Sequence, residues 1–281
     1  MATINSTVLS LIDHAKRRDA TGKTAKIVEL LSQSNAIVTD ALWKECNDGT
    51  TELTTVRTGL PSVAWRLING GVPPSKSTTA QIREATGMLE AYSEVDVALA
   101  KMNGDERDFR LSEASAFLES MNQEAAQTIF YGNSGVSPEE FTGLAPRYSS
   151  TTAGNGANVL LGGGAGSDNS SIYLVGWGAQ SFHGIYPKGS MAGLSHRDLG
   201  EVTIETANGI GSGNRMQAYR DHWKWCMGVA LRDWRYCVRI ANIDISNLVA
   251  KSSAADLVEL MIKAIHRIPY EGVANLVFNM Q

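Results

Sequence analysis

Apolar and polar positions along the 281-residue chain follow helical spacing in some stretches and strand spacing in others, without a fixed order. Val8, Leu9, Leu11, Ile12 and Ala15 recur at helical spacing, "DATGK" interrupts them, and Ile27, Val28, Leu30 and Leu31 start a second stripe. Helices this short are marginal in water, so the segment before Cys46 needs a surface to lie on. Leu53 to Thr58 and Ser77 to Ile82 are rich in Thr and Val and predict two strands. Between them lie Gly59, Pro61, Gly70, Gly71, Pro73 and Pro74, which makes the region a long hairpin with an irregular tip. Two-stranded ribbons with few large apolar residues do not stabilise themselves. This one either folds back on its own domain or is supported from outside the chain.

Ser93 to Met102 predicts a short helix, ended by the turn "NGDER". From Leu111 to Tyr131 the helical signal is clearest: Ser112 suits a cap, Glu113 the positive end and Gly132 the stop, with Ala114, Phe117, Leu118, Met121, Ala125 and Ile129 on one face. Gly132 to Ser170 turns to Gly, Ser, Thr and Asn and predicts loop around one apolar segment. "SIYLVGWG" and "SFHGIYPKG" predict two strands about a turn, and further strands fall at Gly200 to Thr206, Ala218 to Leu231 and Trp234 to Ile245, with "TANGIGSGN" as a turn. Leu257, Leu260, Met261, Ala264, Ile265 and Ile268 form a last helical stripe before Pro269, and "ANLVFNM" a final strand. Interleaving without regular strand–helix alternation predicts an α+β architecture.

Composition narrows the function classes. With 25 Lys and Arg against 29 Asp and Glu, the net charge of -4 argues against a dedicated nucleic-acid binder, whose affinity rests on cations neutralising phosphates. The basic cluster Lys16, Arg17, Arg18 and Lys23 reads as a solvated face. In "YRDHWKWCMGVALRDWRYCVRI", Tyr219 to Ile240, aromatics flanked by cations suit single-strand stacking. The same period-two layout suits antiparallel strands with aromatics in a core and arginines in ion pairs, and that reading is preferred. Cys46, Cys226 and Cys237 show neither disulfide nor zinc spacing and read as reduced, buried thiols. The N-terminus lacks the order of a secretory signal and no run is long enough for a membrane helix, so synthesis in a cytoplasm and no membrane partner are expected.

Candidate chemistry is sparse. "GGGAGSDN" lacks the Lys-Ser/Thr of a phosphate loop, and "GIGSGN" fails the dinucleotide pattern. The five histidines have no metal-ligand spacing. Ser195, His196 and Asp198 lie close together in "LSHRDLG", but triads are assembled from distant segments, so a hydrolase using Ser195 and His196 stands only as a remote alternative. No catalytic residue, cofactor or metal is expected, and function is expected to lie in the fold and its assembly.

Several stretches resemble, in order, the major capsid protein of short-tailed and related tailed bacteriophages, a branch of the Hong Kong 97-type capsid fold. They include "TTVRTGLPSVAWRLINGGV", "GMLEAYSEVDVALA", "FRLSEASAFLESMNQEAAQTIFYGN", "FTGLAPRY", "GSDNSSIYLVGWG", "HGIYPKGS" and "RDWRYCVRIANID". The resemblance implies an N-terminal arm over 1–50 and an extended E-loop hairpin over 51–84. It implies a peripheral domain from 85–137, with its spine helix at 111–131, and from 191–246. An axial domain would draw on 138–190 and 247–281. The implied function is an icosahedral shell enclosing phage double-stranded DNA, built of hexamers and pentamers of this chain in the virion. Portal and scaffolding proteins, a decoration or cement protein and non-specific contact with the DNA are implied as partners. Arg57, Trp65, Arg66 and Lys76 are the candidate inter-subunit contacts, with self-packing as the alternative, and no isopeptide cross-link through Lys76 is expected. An encapsulin-like shell around protein cargo is the nearest alternative.

Overall fold

The computed structural model describes residues 9–18, 23–24, 35–205, 215–250, 256–269, 272 and 274–280. The chain opens with α1 (Leu11–Lys16), α2 (Ala36–Asp40) and β1 (Trp43–Glu45), followed by the hairpin strands β2 (Thr51–Gly59) and β3 (Thr78–Ala85). Next come β4 (Gly87–Asp96), α3 (Val97–Ala100), the long α4 (Glu106–Tyr131) and α5 (Leu144–Arg147). Strands β5 (Val159–Leu161), β6 (Asn169–Trp177), β7 (Phe182–Tyr186), β8 (Leu194–Glu205), β9 (Arg215–Leu231) and β10 (Cys237–Asp244) follow. The chain closes with α6 (Ile245–Ala250), α7 (Leu257–Arg267) and β11 (Asn275–Met280). The expected helix at Ile27 to Leu31 and the turn "TANGIGSGN" lie outside the described residues.

Two compact units are each drawn from distant segments. One comprises Met1–Asn35, Met88–Gln127 and Gly193–Cys226; the other comprises Ala36–Gly87, Thr128–Ala192 and Met227–Gln281. In the first, β4 and β8 both pair with β9, β8 in antiparallel register from Leu194↔Trp225 to Glu205↔Arg215. Alternation along β9 sends Tyr219, Asp221 and Trp223 inward while Arg220, His222 and Lys224 take the outer face. There Arg220 pairs with Glu94 at 2.5 Å, and His222 and Lys224 both meet Glu90. The aromatic and basic segment is therefore a packed strand with a laddered outer face. Trp223 packs with Ala114 and Met121 of α4, while Tyr219 joins Val95, Leu99, Ala100 and Phe109.

Helix α4 starts five residues before the expected Leu111, and Ser112 is not its cap. Glu106 and Asp108 fill the first turn, where carboxylates suit the positive helix end, and the Ser112 hydroxyl donates to the Phe109 carbonyl at 2.8 Å. Its 26 residues span about 39 Å at 1.5 Å per residue. Gly132 ends it where a β-carbon would come 2.4 Å from the Phe141 carbonyl oxygen. The helix expected at Ser93 to Met102 is shorter: β4 runs to Asp96, whose carboxylate caps α3 by accepting from the Ala98 N–H at 2.7 Å. The surface beneath α1 is the chain's own: Ser10 and Asp13 form its capping box, His14 packs 4.9 Å from the Phe109 ring, and Arg17 pairs with Glu113.

In the second unit, β6 lies between β10 and β11, antiparallel to both, and β5 extends β10 in parallel. The strands β6 and β7 do not form the hairpin their proximity suggests. They meet only at Trp177↔Phe182, and β7 instead pairs parallel with β1 and antiparallel with the end of β9. Helix α7, capped by Asp256, lays its apolar stripe on this sheet: Ala264 and Ile268 join Ile172, Leu174, Val238, Ile240 and Ile243 in one buried cluster. Extended "LSHRDLG" also departs from expectation, because β8 begins at Leu194 rather than Gly200.

Candidate inter-subunit interface

Strands β2 and β3 form their own two-stranded ribbon, in register from Thr51↔Ala85 to Arg57↔Thr79 with a bulge before Gly59. Glu52 and Glu84 stand directly opposite each other at its base. Like charges in that position repel, and both residues are buried, Glu52 completely. Each is neutralised from elsewhere in the same unit. Arg232 reaches Glu52 at 2.5 Å, Lys44 approaches it at 3.5 Å and the Asn47 N–H donates to it at 2.9 Å. Arg147 grips Glu84 with two parallel bonds of 2.5 and 2.7 Å, the bidentate geometry that guanidinium and carboxylate favour. Burial alone would push the Glu52 carboxyl up, but the bonds from Arg232 and Asn47 and the Lys44 charge outweigh it and hold the group below the usual carboxylate range.

His183 of β7 sits beside this clamp. It is wholly buried, and neither ring nitrogen has a hydrogen-bond partner among the described residues. Burial first, then the Arg232 and Lys44 charges, push it down to about 4, with Glu52 opposing. The ring is therefore neutral at pH 7.

Beyond the clamp the ribbon is bare. Leu60, Val63, Trp65, Leu67 and Ile68 are all at least 80% exposed, and Trp65 fully so. A few local bonds shape the tip: the Ser75 hydroxyl donates to the Ser62 carbonyl at 2.7 Å, the Gly70 N–H to the Leu67 carbonyl at 3.0 Å, and Asn69 turns the chain with φ at 68°. Of the two readings left open by the sequence, the base follows one, folding back on its own unit, and the tip is uncovered. Arg57, Trp65, Arg66 and Lys76 all project to the surface of this ribbon. Among the described residues Arg66 donates only to the neighbouring Leu67 carbonyl, and Arg57 and Lys76 have no carboxylate within ion-pair distance. The sequence reading missed the clamp itself. Its available signal was the placement of Glu52 and Glu84 at equivalent points of two otherwise uncharged or basic Thr-rich strands.

Between the ribbon and the body of the second unit runs a groove of about 1190 Å³. Every residue of β2 from Leu53 lines one side; Leu231, Arg232, Asp233, Trp234 and Arg235 line the other. Arg147, Arg232 and Arg235 are already paired, with Glu84, Glu52 and Asp233.

No catalytic arrangement forms at Ser195 and His196. As neighbours on β8 they point to opposite faces; the Ser195 hydroxyl donates to the Lys224 carbonyl at 3.0 Å. His196 bonds Asp221 at 2.9 Å and stacks on Trp223 at 3.9 Å, and Arg110 ties Asp221 to Asp198. That is a surface ion network with no nucleophile in it. Cys46 and Cys237 are buried, and burial raises their thiols to about 11 and about 12. Cys226 is half-exposed, contrary to expectation, because it lies where the inward–outward alternation of β9 gives way. No group of three His, Cys, Asp or Glu among the described residues could hold a metal, and no described helix is long and apolar enough to cross a membrane.

The model of the family described as major capsid protein GP7 matches residues 19–281. A chain of the bacteriophage Epsilon15 structure is similar at 33% identity and a TM-score of 0.79, over 99% of this chain and 84% of that one. The capsid of a native GTA particle shares the fold at 10% identity and a TM-score of 0.51, over 78% of this chain and 94% of that one. The SrpI encapsulin of Synechococcus elongatus PCC 7942 does so at 13% and 0.52, over 85% and 98%. No curated protein matches the chain.

Proposed function

The chain belongs to the major capsid protein GP7 family, with the α+β, Hong Kong 97-type fold, and from that premise we propose how it builds its shell. Copies associate as hexamers and pentamers into a closed icosahedral shell around phage double-stranded DNA in the virion, with portal, scaffolding and decoration proteins as further partners. The β2–β3 ribbon is the E-loop that reaches over the adjacent copy. Residues 1–50 act as the arm, 85–137 and 191–246 as the peripheral domain, and 138–190 and 247–281 as the axial domain.

One observation carries this reading: the ribbon is clamped at its base by two buried carboxylate–arginine pairs while its tip leaves Trp65 and four aliphatic side chains uncovered. A protein that orders such a strut has a partner for its end, since exposed apolar clusters of this kind mark association surfaces. Trp65 is the anchor in a neighbour's pocket, and Arg57, Arg66 and Lys76 pair with its carboxylates. Repeated heterologous contacts of this type close into a shell when the rotations permit it.

Electron microscopy of the purified chain, with sedimentation to count subunits, tests the proposal. Uniform closed icosahedral shells are expected. A stable monomer or dimer under every assembly condition overturns it, and particles loaded with docked protein in place of DNA transfer the chain to the encapsulin-like reading.

A further inference from the structure

Asn69 and Gly70 form one of four Asn-Gly pairs in the chain, the others being Asn103 with Gly104, Asn155 with Gly156 and Asn208 with Gly209. Such a pair carries its own chemistry. The backbone nitrogen after the asparagine can attack the side-chain carbonyl carbon, and glycine, lacking a β-carbon, leaves that nitrogen open to the approach. A rigid fold withholds the reaction, because the two groups must swing towards each other. The structure therefore sorts the pairs.

Asn155 is locked. Its Nδ2 donates to the Arg147 carbonyl at 2.8 Å, and the Gly156 N–H donates to the Ala153 carbonyl at 2.8 Å. Gly156 is buried, and a β-carbon there would collide with the Thr151 carbonyl, so this backbone has no room to turn. Asn103 ends the 3-10 turn Lys101–Asn103, and Asn208 lies outside the described residues. Asn69 has the opposite setting. Every residue from Leu60 to Lys76 is exposed, and the Asn69 side-chain amide has no hydrogen-bond partner among the described residues. The attacking nitrogen is restrained by one turn bond, from the Gly70 N–H to the Leu67 carbonyl at 3.0 Å. A single exposed hydrogen bond is a weak restraint.

We infer that Asn69 is a site of spontaneous modification, at which the folded chain converts its own asparagine to isoaspartate and aspartate. The Gly70 nitrogen bonds to the Asn69 side-chain carbonyl carbon, and its proton passes through water to the side-chain nitrogen, which leaves as ammonia. A succinimide ring remains. Water adds to either ring carbonyl and breaks its bond to the shared nitrogen, giving aspartate or isoaspartate. The sequence consumes water, releases ammonia and involves no oxidation or reduction. Either product sets a carboxylate among the exposed Trp65, Leu67 and Ile68, and isoaspartate also carries the backbone through an extra methylene. A carboxylate there opposes any apolar contact that covers the tip, since it must be stripped of water. Aged copies are thereby disfavoured in assembly, a consequence that rests on the shell reading.

Peptide mapping of the purified subunit, aged at neutral pH in its folded form and in urea, tests the site, with isoaspartate identified by enzymatic methyl transfer. In urea Asn69 and Asn155 should react at similar rates. In the folded subunit Asn69 is expected to keep its rate within ~3-fold while Asn155 slows at least ~10-fold. Gly70→Ala, whose added methyl comes nearest the Leu67 carbonyl oxygen at 3.2 Å, should slow Asn69 at least ~10-fold and leave Asn155 unchanged. Asn69 as slow as Asn155 in the folded subunit overturns the inference, as does an Asn69 rate indifferent to Gly70→Ala. Shells grown from a partly aged preparation should carry at least ~5-fold less modified Asn69 than the input. Equal proportions overturn the assembly consequence and leave the site standing. A chain that never assembles refutes the shell reading and that consequence with it, but not the site.

Discussion

His183 should make the unassembled subunit acid-sensitive in a defined pH window. Buried beside Arg232, Lys44 and Glu52, with neither ring nitrogen bonded among the described residues, it is held down to about 4 from an ordinary 6.5. A base depressed in the folded state favours its neutral form there. Its contribution is fully present above pH 6.5, falls as pH drops towards about 4, and is constant below, where folded and unfolded chains are both protonated. At roughly 1.4 kcal/mol per unit the whole shift corresponds to about 3 kcal/mol, of which about 2 is lost by pH 5. That is a large share of the ~5–15 kcal/mol that holds a typical domain folded. Urea unfolding of the free subunit at steps from pH 7 to pH 5 measures the loss. His183→Leu keeps an apolar occupant of similar size and removes this titration, so it should lose less stability over the same steps; the loss that remains comes from His14, whose ring is also depressed, by burial and the Arg18 charge. Glu52, Asp198 and Asp233 are also depressed, and they withdraw stability mainly at lower pH. Parallel loss in wild type and His183→Leu between pH 6.5 and pH 5 would refute the reasoning.

Replacing Arg232 by Met strands the Glu52 carboxylate in a buried site and should cost about 3–5 kcal/mol in urea unfolding, part of which the double variant Glu52→Gln/Arg232→Met recovers. Trp65→Ala removes a fully exposed ring, so it should leave subunit stability within about 0.5 kcal/mol while shell yield falls; wild-type yield would end its role as an anchor. Of the three thiols, Cys226 alone should react with a maleimide within minutes in the folded subunit, and mass spectrometry showing two or three adducts would contradict the burial of Cys46 and Cys237.

Elements with a strong period were legible in the sequence. The amphipathic stripe of α7 and the alternation of β9 are local signals, and both formed nearly where spacing put them. The start of α4 was not, because Asp105 to Asp108 is as polar as a loop and is drawn into the helix by Phe109, whose core partners come from β4 and β9. Partner choice was illegible for the same reason: β6 and β7 look like a hairpin, yet each finds longer ladders with strands far along the chain. Within the candidate interface, the irregular tip could be read from its Gly and Pro content, but not that its Trp and aliphatic side chains are left uncovered. Of the clamp only the opposed Glu52 and Glu84 were locally visible; its arginines were not, since nothing local announces that Glu52 will meet a residue 180 positions away.

The irregular tip between β2 and β3 also determines how long an unassembled copy survives. Proteases need several residues of extended, accessible chain, which most folded proteins supply only by opening locally. This segment presents that substrate without any opening, because few bonds hold it and its side chains are bare. A subunit waiting in solution is therefore cleavable at once, whereas a copy whose tip is covered is not. Turnover would then discriminate between the two populations, clearing stray subunits while sparing those already built into a particle.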